Sequence, residues 1–316
     1  MSPSQPHQIS LAELLALNGP AAALDLSSRK RVLTDMGGTH LSGFRGRGME
    51  FEEHRAYQAG DDVRSIDWRV TARTGQTHIK LFREERERPV YLVVDGSPSM
   101  QFATRGVFKS VLAAQAAALL GWAAVANRDR VGGVLANPNG LLEVRPGSGR
   151  RGLLRYLNHL VATQSEPERQ LAPAPLKKAL QHLDRLARSG SVLILLTDFQ
   201  SLASDAKPLL QKLAGRCELI VGMISDPFER ELPQLAGMPV TTATESDRRW
   251  FIKAPTTKAD AADMSPEQAA SYPQRQQYWA KAVQSAGAHW LDLDTAQPVL
   301  EQLTQGLGRH HRAQVG

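Results

Sequence analysis

The sequence predicts an α/β protein, a doubly wound and mostly parallel sheet with a small β-rich appendage on its N-terminal side. Three observations lead there. Val90–Val94 and Val192–Leu196 are continuous apolar runs, the mark of strands covered on both faces. Each run ends in an acid, Asp95 or Thr197-Asp198. Between and after them, strand-like and helix-like segments alternate in the rhythm of right-handed crossovers.

In order, residues 1–36 read as a helical lead-in, with Leu11, Leu14 and Leu15 at helical spacing. Five glycines between Gly37 and Gly48 break helices and open the appendage, 37–88. There His78–Phe82 partly alternates, and Trp68, Val70 and Ala72 share one strand face, so short strands are expected. The α/β domain covers 89–308. It begins with the strand Val90–Val94, then a long alanine-rich helix near 106–126. Strands at Arg130–Ala136 and Leu141–Arg145 precede helices near 149–163 and 175–188. After the second buried strand come a helix at 203–214 and a strand at Glu218–Ile224. An insertion of about 226–286 holds a hairpin (Thr241–Thr244 with Trp250–Lys253) and a helix near 265–286. A strand at His289–Leu293 and a helix near 297–307 close the domain, and 309–316, with His310-His311, reads as a solvated tail.

Composition narrows the class. The 316 residues are 42% hydrophobic, ample for a core and incompatible with a wholly disordered chain. A net charge of +6 is mild over this length and does not by itself indicate nucleic-acid binding. The single cysteine, Cys217, excludes an intramolecular disulfide or cysteine-rich zinc site and reads as a core thiol of a reducing compartment. Residues 1–17 lack the features of a signal peptide. The apolar stretch Val111–Ala126 falls short of a bilayer span, so a cytoplasmic protein without a transmembrane segment is expected.

Asp95-Gly96-Ser97-Pro98-Ser99 is the strongest local constellation. Ligands of open α/β sheets bind beyond the carboxyl ends of strands, where the crossover direction switches. If the strands ending at Asp95 and Asp198 are neighbours, one crevice holds two carboxylates, the hydroxyls of Ser97 and Ser99, and Thr197. Such an oxygen-only set suits Mg²⁺ or Mn²⁺ and disfavours zinc. The competing account is a helix-capping Asp/Ser turn. Gly147-Ser148-Gly149-Arg150-Arg151-Gly152 spells a dinucleotide fingerprint but follows the third core strand, so it reads as a helix-opening turn. No phosphate-binding Gly-x-x-x-x-Gly-Lys-Ser/Thr and no Gly-x-Ser-x-Gly occurs. The enzymatic alternative is a Mg²⁺-dependent phosphohydrolase or phosphotransferase using Asp95. A basic nucleic-acid adaptor is a third reading.

Asp95-x-Ser97-x-Ser99 resembles the metal-ion-dependent adhesion site of von Willebrand factor A domains. Upstream, Gly48–Tyr57, Gly60–Trp68 and Ala72-Arg73 resemble the signature of the bacterial "domain of unknown function 58" family, as do Asp226–Pro233 and the hairpin and helix after it. The resemblance spans roughly 38–305. It implies a von Willebrand factor A-like core used for protein binding, paired with a MoxR-like AAA+ ATPase. Asp95, Ser97, Ser99 and Asp198 would be metal ligands, presented to a client protein with an exposed Asp or Glu. The pattern's middle threonine is missing, because the chain reads Leu171-Ala172-Pro173-Ala174-Pro175. Thr163, Ser165 or a water then substitutes, or metal affinity falls, or the site is vestigial. In the appendage, Arg55, Tyr57, Asp61, Asp62, Arg64, Asp67, Trp68 and Arg73 are either a partner-docking face or an ion-pair lattice with Trp68 as packing.

Overall fold

The computed structural model describes residues 6–24, 26, 49–58, 63, 66–84, 87–137, 139–164, 176–231, 239–241, 249–251 and 272–312. The chain forms two compact units, Ser28–Glu87 and the remainder, Met1–Ser27 with Arg88–Gly316. Residues 1–27 of the lead-in therefore fall in the larger unit and 28–36 in the smaller one. Helix α1 (Leu11–Ala16) starts in a capping box. Ser10 Oγ accepts from the Glu13 amide, and the Glu13 carboxylate accepts from the Ser10 amide.

In the smaller unit, β1 (Met49–Ala56) pairs antiparallel with a later strand, β2 (His78–Glu84), with Ala56 opposite His78. Between them lies a helix, α2 (Trp68–Thr74), where alternating side chains suggested a strand. The correction has a local cause. Asp67 Oδ1 accepts from the amides of Arg69 and Val70 to cap the first turn, and Gly75 (φ 72°) closes the last one.

The larger unit carries a six-stranded sheet. Its elements are β3 (Pro89–Asp95), α3 (Lys109–Ala126), β4 (Arg130–Asn137), β5 (Gly140–Ser148), α4 (Gly149–Gln164), α5 (Leu176–Leu186), β6 (Val192–Thr197), α6 (Lys207–Arg216) and β7 (Glu218–Ser225). There follow α7 (Pro227–Glu231), the paired short strands β8 (Pro239–Thr241) and β9 (Arg249–Phe251), α8 (Tyr272–Ser285), β10 (His289–Asp294) and α9 (Val299–Arg312). Helix α9 thus runs through His310 and His311, which composition assigns to a tail. The hairpin's turn, 242–248, lies outside the described residues.

Strand order is β10-β7-β6-β3-β4-β5, parallel except for β4 with β5. Side chains alternate between two cores as a covered strand requires. Val90, Leu92 and Val94 of β3 pack with Leu112, Leu153 and Leu303 of α3, α4 and α9. Tyr91 and Val93 pack with Leu180, Leu210 and Trp279 of α5, α6 and α8. β3 and β4 approach so closely that a Cβ at Gly133 would collide with the Leu92 carbonyl. Helix α3 is long and apolar enough by composition to cross a membrane, yet it is buried in this unit, and Trp122 Nε1 on it donates to the Leu14 carbonyl of α1. Cys217 is buried as well.

Candidate functional site at the sheet's switch point

From β3 the chain crosses to β4 on one side, and it later returns to β6 on the other. The connection direction therefore reverses between β3 and β6, which are hydrogen-bonded parallel neighbours with Val94 opposite Leu196. Their carboxyl ends form the crevice where open α/β sheets bind ligands. Asp95 and Asp198 stand at those two ends.

Asp95 is fully buried. Its Oδ1 accepts from the Ser97 amide at 2.9 Å and from Ser97 Oγ at 2.5 Å. Its Oδ2 accepts from Thr197 Oγ1 at 2.6 Å and Ser201 Oγ at 3.1 Å. Even so, burial and then the neighbouring Asp198 charge push the Asp95 carboxyl above its ordinary value, more than the bonds from Ser97 and Thr197 lower it. Ser99 Oγ, two residues beyond Ser97, is buried and has no hydrogen-bond partner. Thr163 lines a small cavity with Asp95, Gly96 and Gln101, and its hydroxyl donates to the Leu160 carbonyl at 2.8 Å. Ser165 and 171–175, where the middle threonine is missing, lie outside the described residues.

Asp198 is held differently. Its Oδ1 accepts from the Gln200 amide at 2.9 Å, and its Oδ2 accepts from Lys109 Nζ at 2.7 Å. Lys109 Nζ also donates to Glu229 Oε1 at 2.9 Å, and Gln200 Nε2 donates to the same oxygen at 2.9 Å. Burial alone would lower the lysine pKa, but the Asp198 and Glu229 charges outweigh it and hold it above the ordinary value. Phe199, next in the chain, takes a left-handed backbone conformation (φ 59°), rare for an aromatic residue. Stacking pins it there, with its ring centroid 4.8 Å from that of Trp279 and 5.7 Å from that of Trp290. The loop carrying Asp198 and Ser201 is therefore fixed by its own aromatic anchor.

A further buried acid braces the same edge. Asp226 follows β7 and caps α7. Its Oδ1 accepts from the Phe228 amide at 2.9 Å, while Glu229 Oε2 accepts from the Asp226 amide at 3.0 Å. It also accepts from the Thr104 amide, Thr104 Oγ1 and Thr295 Oγ1, which tie the β3–α3 and β10–α9 loops together. Burial raises its pKa, but these bonds outweigh that and leave the carboxyl below its ordinary value.

The donor chemistry can accommodate a hard divalent cation. Among the described residues no group of three or more His, Cys, Asp or Glu forms a metal cage. The candidates are instead Asp95 and the hydroxyls of Ser97 and Ser99, with Ser201 and Thr163 nearby. The orphaned Ser99 hydroxyl and the poorly compensated Asp95 charge are what such an ion would relieve. Asp198 already shares one oxygen with Lys109. Sequence reasoning missed Lys109, Ser201 and Glu229. Glu229 follows Asp226-Pro227 in a visible capping pattern, whereas Lys109 looks like an ordinary solvated helix end.

The appendage residues are placed in their own unit. Asp67 caps α2 and its Oδ2 lies 2.8 Å from His54 Nε2. Arg55 Nη1 donates to the Ala56 carbonyl, and the Tyr57 amide donates to the Thr77 carbonyl. Arg73 sits in the last turn of α2. Asp61, Asp62 and Arg64 lie outside the described residues. Trp68 is 69% exposed. Trp68→Ala should therefore change folding stability by less than about 0.5 kcal/mol, as a urea melt would register. The glycine motif is structural. Gly147 is the penultimate residue of β5, Gly149 (φ 61°) turns into α4, and a Cβ on Gly152 would meet the Gly147 carbonyl.

A family model described as "Protein of unknown function DUF58" matches residues 53–268. Uncharacterized proteins of Mycobacterium tuberculosis and Mycobacterium bovis are each 28% identical over 289 residues, covering 92% of this chain and 88% of theirs. Among solved structures, the conserved hypothetical protein BatB from Bacteroides thetaiotaomicron is 13% identical, with a TM-score of 0.40 over 71% of this chain and 99% of its own. A von Willebrand factor type A protein from Catenulispora acidiphila is 12% identical, with a TM-score of 0.38 over 74% of this chain and 44% of its own.

Proposed function

We propose that this chain, which belongs to the DUF58 family, is a non-catalytic protein-binding module whose switch-point crevice holds a divalent cation and engages an acidic side chain of a partner. The observation that carries this reading is Asp95. It is a fully buried carboxylate at the carboxyl end of a central strand, ringed by serine and threonine hydroxyls and facing a second acid. In this reading Asp95, Ser97 and Ser99 hold the ion, with Asp198 one step outside. When bound there, Mg²⁺ or Mn²⁺ supplies an open coordination position that a partner's carboxylate can fill. The residues around it orient the hydroxyls and exclude water. Thr197 and Ser201 keep Asp95 in place from the neighbouring strand end, and Phe199 fixes their loop.

The phosphotransfer alternative fits less well. An aspartate nucleophile needs an accessible oxygen aligned with its substrate, and both Asp95 oxygens here accept two internal hydrogen bonds. We assign the partner to the MoxR-like AAA+ ATPases, or to an acidic client handled together with one, on the strength of the resemblance to the DUF58 signature, and the chain spells no phosphate-binding loop of its own. The test is affinity capture from native cells with Mg²⁺ or with chelator. Wild type should retain an ATPase only with Mg²⁺, and Asp95→Ala with Ser97→Ala should lose it by at least about tenfold. Equal capture by wild type and double variant, with both folded, would reject the proposal.

A further inference from the structure

We infer that Lys109 is the built-in counter-ion of the site's second acid, so that Asp198 acts on a bound divalent cation through its charge, not as a direct ligand. The inference rests on the cation-site reading above and assigns Lys109 the role of setting that site's affinity.

The placement of Lys109 is costly in two ways. It is the first residue of the 18-residue helix α3, where the positive end of the helix dipole disfavours an ammonium. It is also fully buried, although a lysine stem is long enough to deliver its charge to solvent. Two carboxylates offset both costs, Asp198 at 2.7 Å and Glu229 at 2.9 Å. Neither is otherwise idle. Asp198 Oδ1 takes the Gln200 amide, and Glu229 Oε2 takes the Asp226 amide. Asp198 therefore gives one oxygen to a full ammonium, whereas every donor to Asp95 is a neutral hydroxyl or amide. Two acids and one ammonium leave a single net negative charge next to Asp95. That charge attracts a dication but does not grip it as a row of free carboxylates would.

Removing the ammonium should turn this arrangement into a stronger metal site, because Asp198 and Glu229 become available and affinity for hard dications rises with ligand charge. The experiment is calorimetric titration of the full chain with Mn²⁺ alone, in wild type, Lys109→Met, Asp198→Asn and Asp95→Asn. Lys109→Met should bind Mn²⁺ at least about tenfold more tightly than wild type. Asp198→Asn, which removes the net negative charge next to Asp95, should weaken Mn²⁺ by about threefold to tenfold, and Asp95→Asn should lose measurable binding. Asp198→Asn keeps the shape of its side chain, so it decides the matter alone if Lys109→Met does not fold. The inference is overturned if Asp198→Asn weakens Mn²⁺ as severely as Asp95→Asn, or if folded Lys109→Met binds no tighter than wild type. Wild-type binding that persists alongside either result leaves the cation site standing and removes only the role of Lys109. If neither wild type nor folded Lys109→Met binds Mn²⁺, the cation site itself falls.

Discussion

Asp226→Ala should destabilise the larger unit by about 3 kcal/mol, the scale of breaking a buried charged network by removing one partner. Four donors lose their acceptor at once: the amides of Thr104 and Phe228 and the hydroxyls of Thr104 and Thr295. These sit on two separate loops and on the first turn of α7, so no single side-chain rotation can satisfy them again. At roughly 2–4 °C per kcal/mol for a domain of this size, the melting temperature should fall by about 6–12 °C. Asp226→Asn, which keeps an acceptor oxygen, should cost less. The pH dependence follows from the direction of the shift. A carboxyl held below its ordinary value contributes stability that is present above the unfolded-state value of 3.8 and is lost as pH falls through its lower folded value. Wild type and Asp226→Ala should therefore converge in stability under acid, as thermal melts across that range would show.

Asp95→Asn should act in the opposite direction in chelator, making the protein more stable at neutral pH. Asp95 is raised by burial and by Asp198, so its protonated form suits the fold better than its ionised form. The stabilisation associated with that proton is fully present below the unfolded-state value of 3.8 and is lost as pH rises through the raised folded value. An asparagine makes the site permanently neutral and avoids the loss. Its advantage over wild type in chelator should shrink as pH is lowered. The same change removes the charge that a dication needs, so the variant should not respond to Mg²⁺. A loss of stability in chelator would show that the four hydrogen bonds already compensate the ionised acid.

The sheet was legible because its central strands are covered on both faces. Val90–Val94 and Val192–Leu196 have no polar residue to make them ambiguous, and the acid after each marks its carboxyl end. Adjacency was not legible, since sequence does not state that β6 returns to the far side of β3. That topological step is what brings Asp95 beside Thr197 and Asp198. The antiparallel direction of β5 was implicit, because a two-residue link between Asn137 and Gly140 leaves no room for a crossover. Trp68–Thr74 was misread as a strand because seven residues hold too few turns for period to discriminate, although Asp67 and Gly75 were cap signals in plain view. Lys109 could not be found by pattern. One lysine at the end of an alanine-rich helix looks solvated until the fold turns it inward onto Asp198 and Glu229.

The central claim is that the switch point between β3 and β6 holds a divalent cation on Asp95. Thermal melting of the purified chain with chelator and with excess Mg²⁺ tests it most directly. At about 100 times the dissociation constant, binding to the folded state alone should add roughly 2.7 kcal/mol. Wild type should therefore melt several degrees higher with Mg²⁺, and Asp95→Asn should melt at one temperature in both buffers. A wild-type midpoint unmoved by Mg²⁺ and by Mn²⁺ would contradict the account.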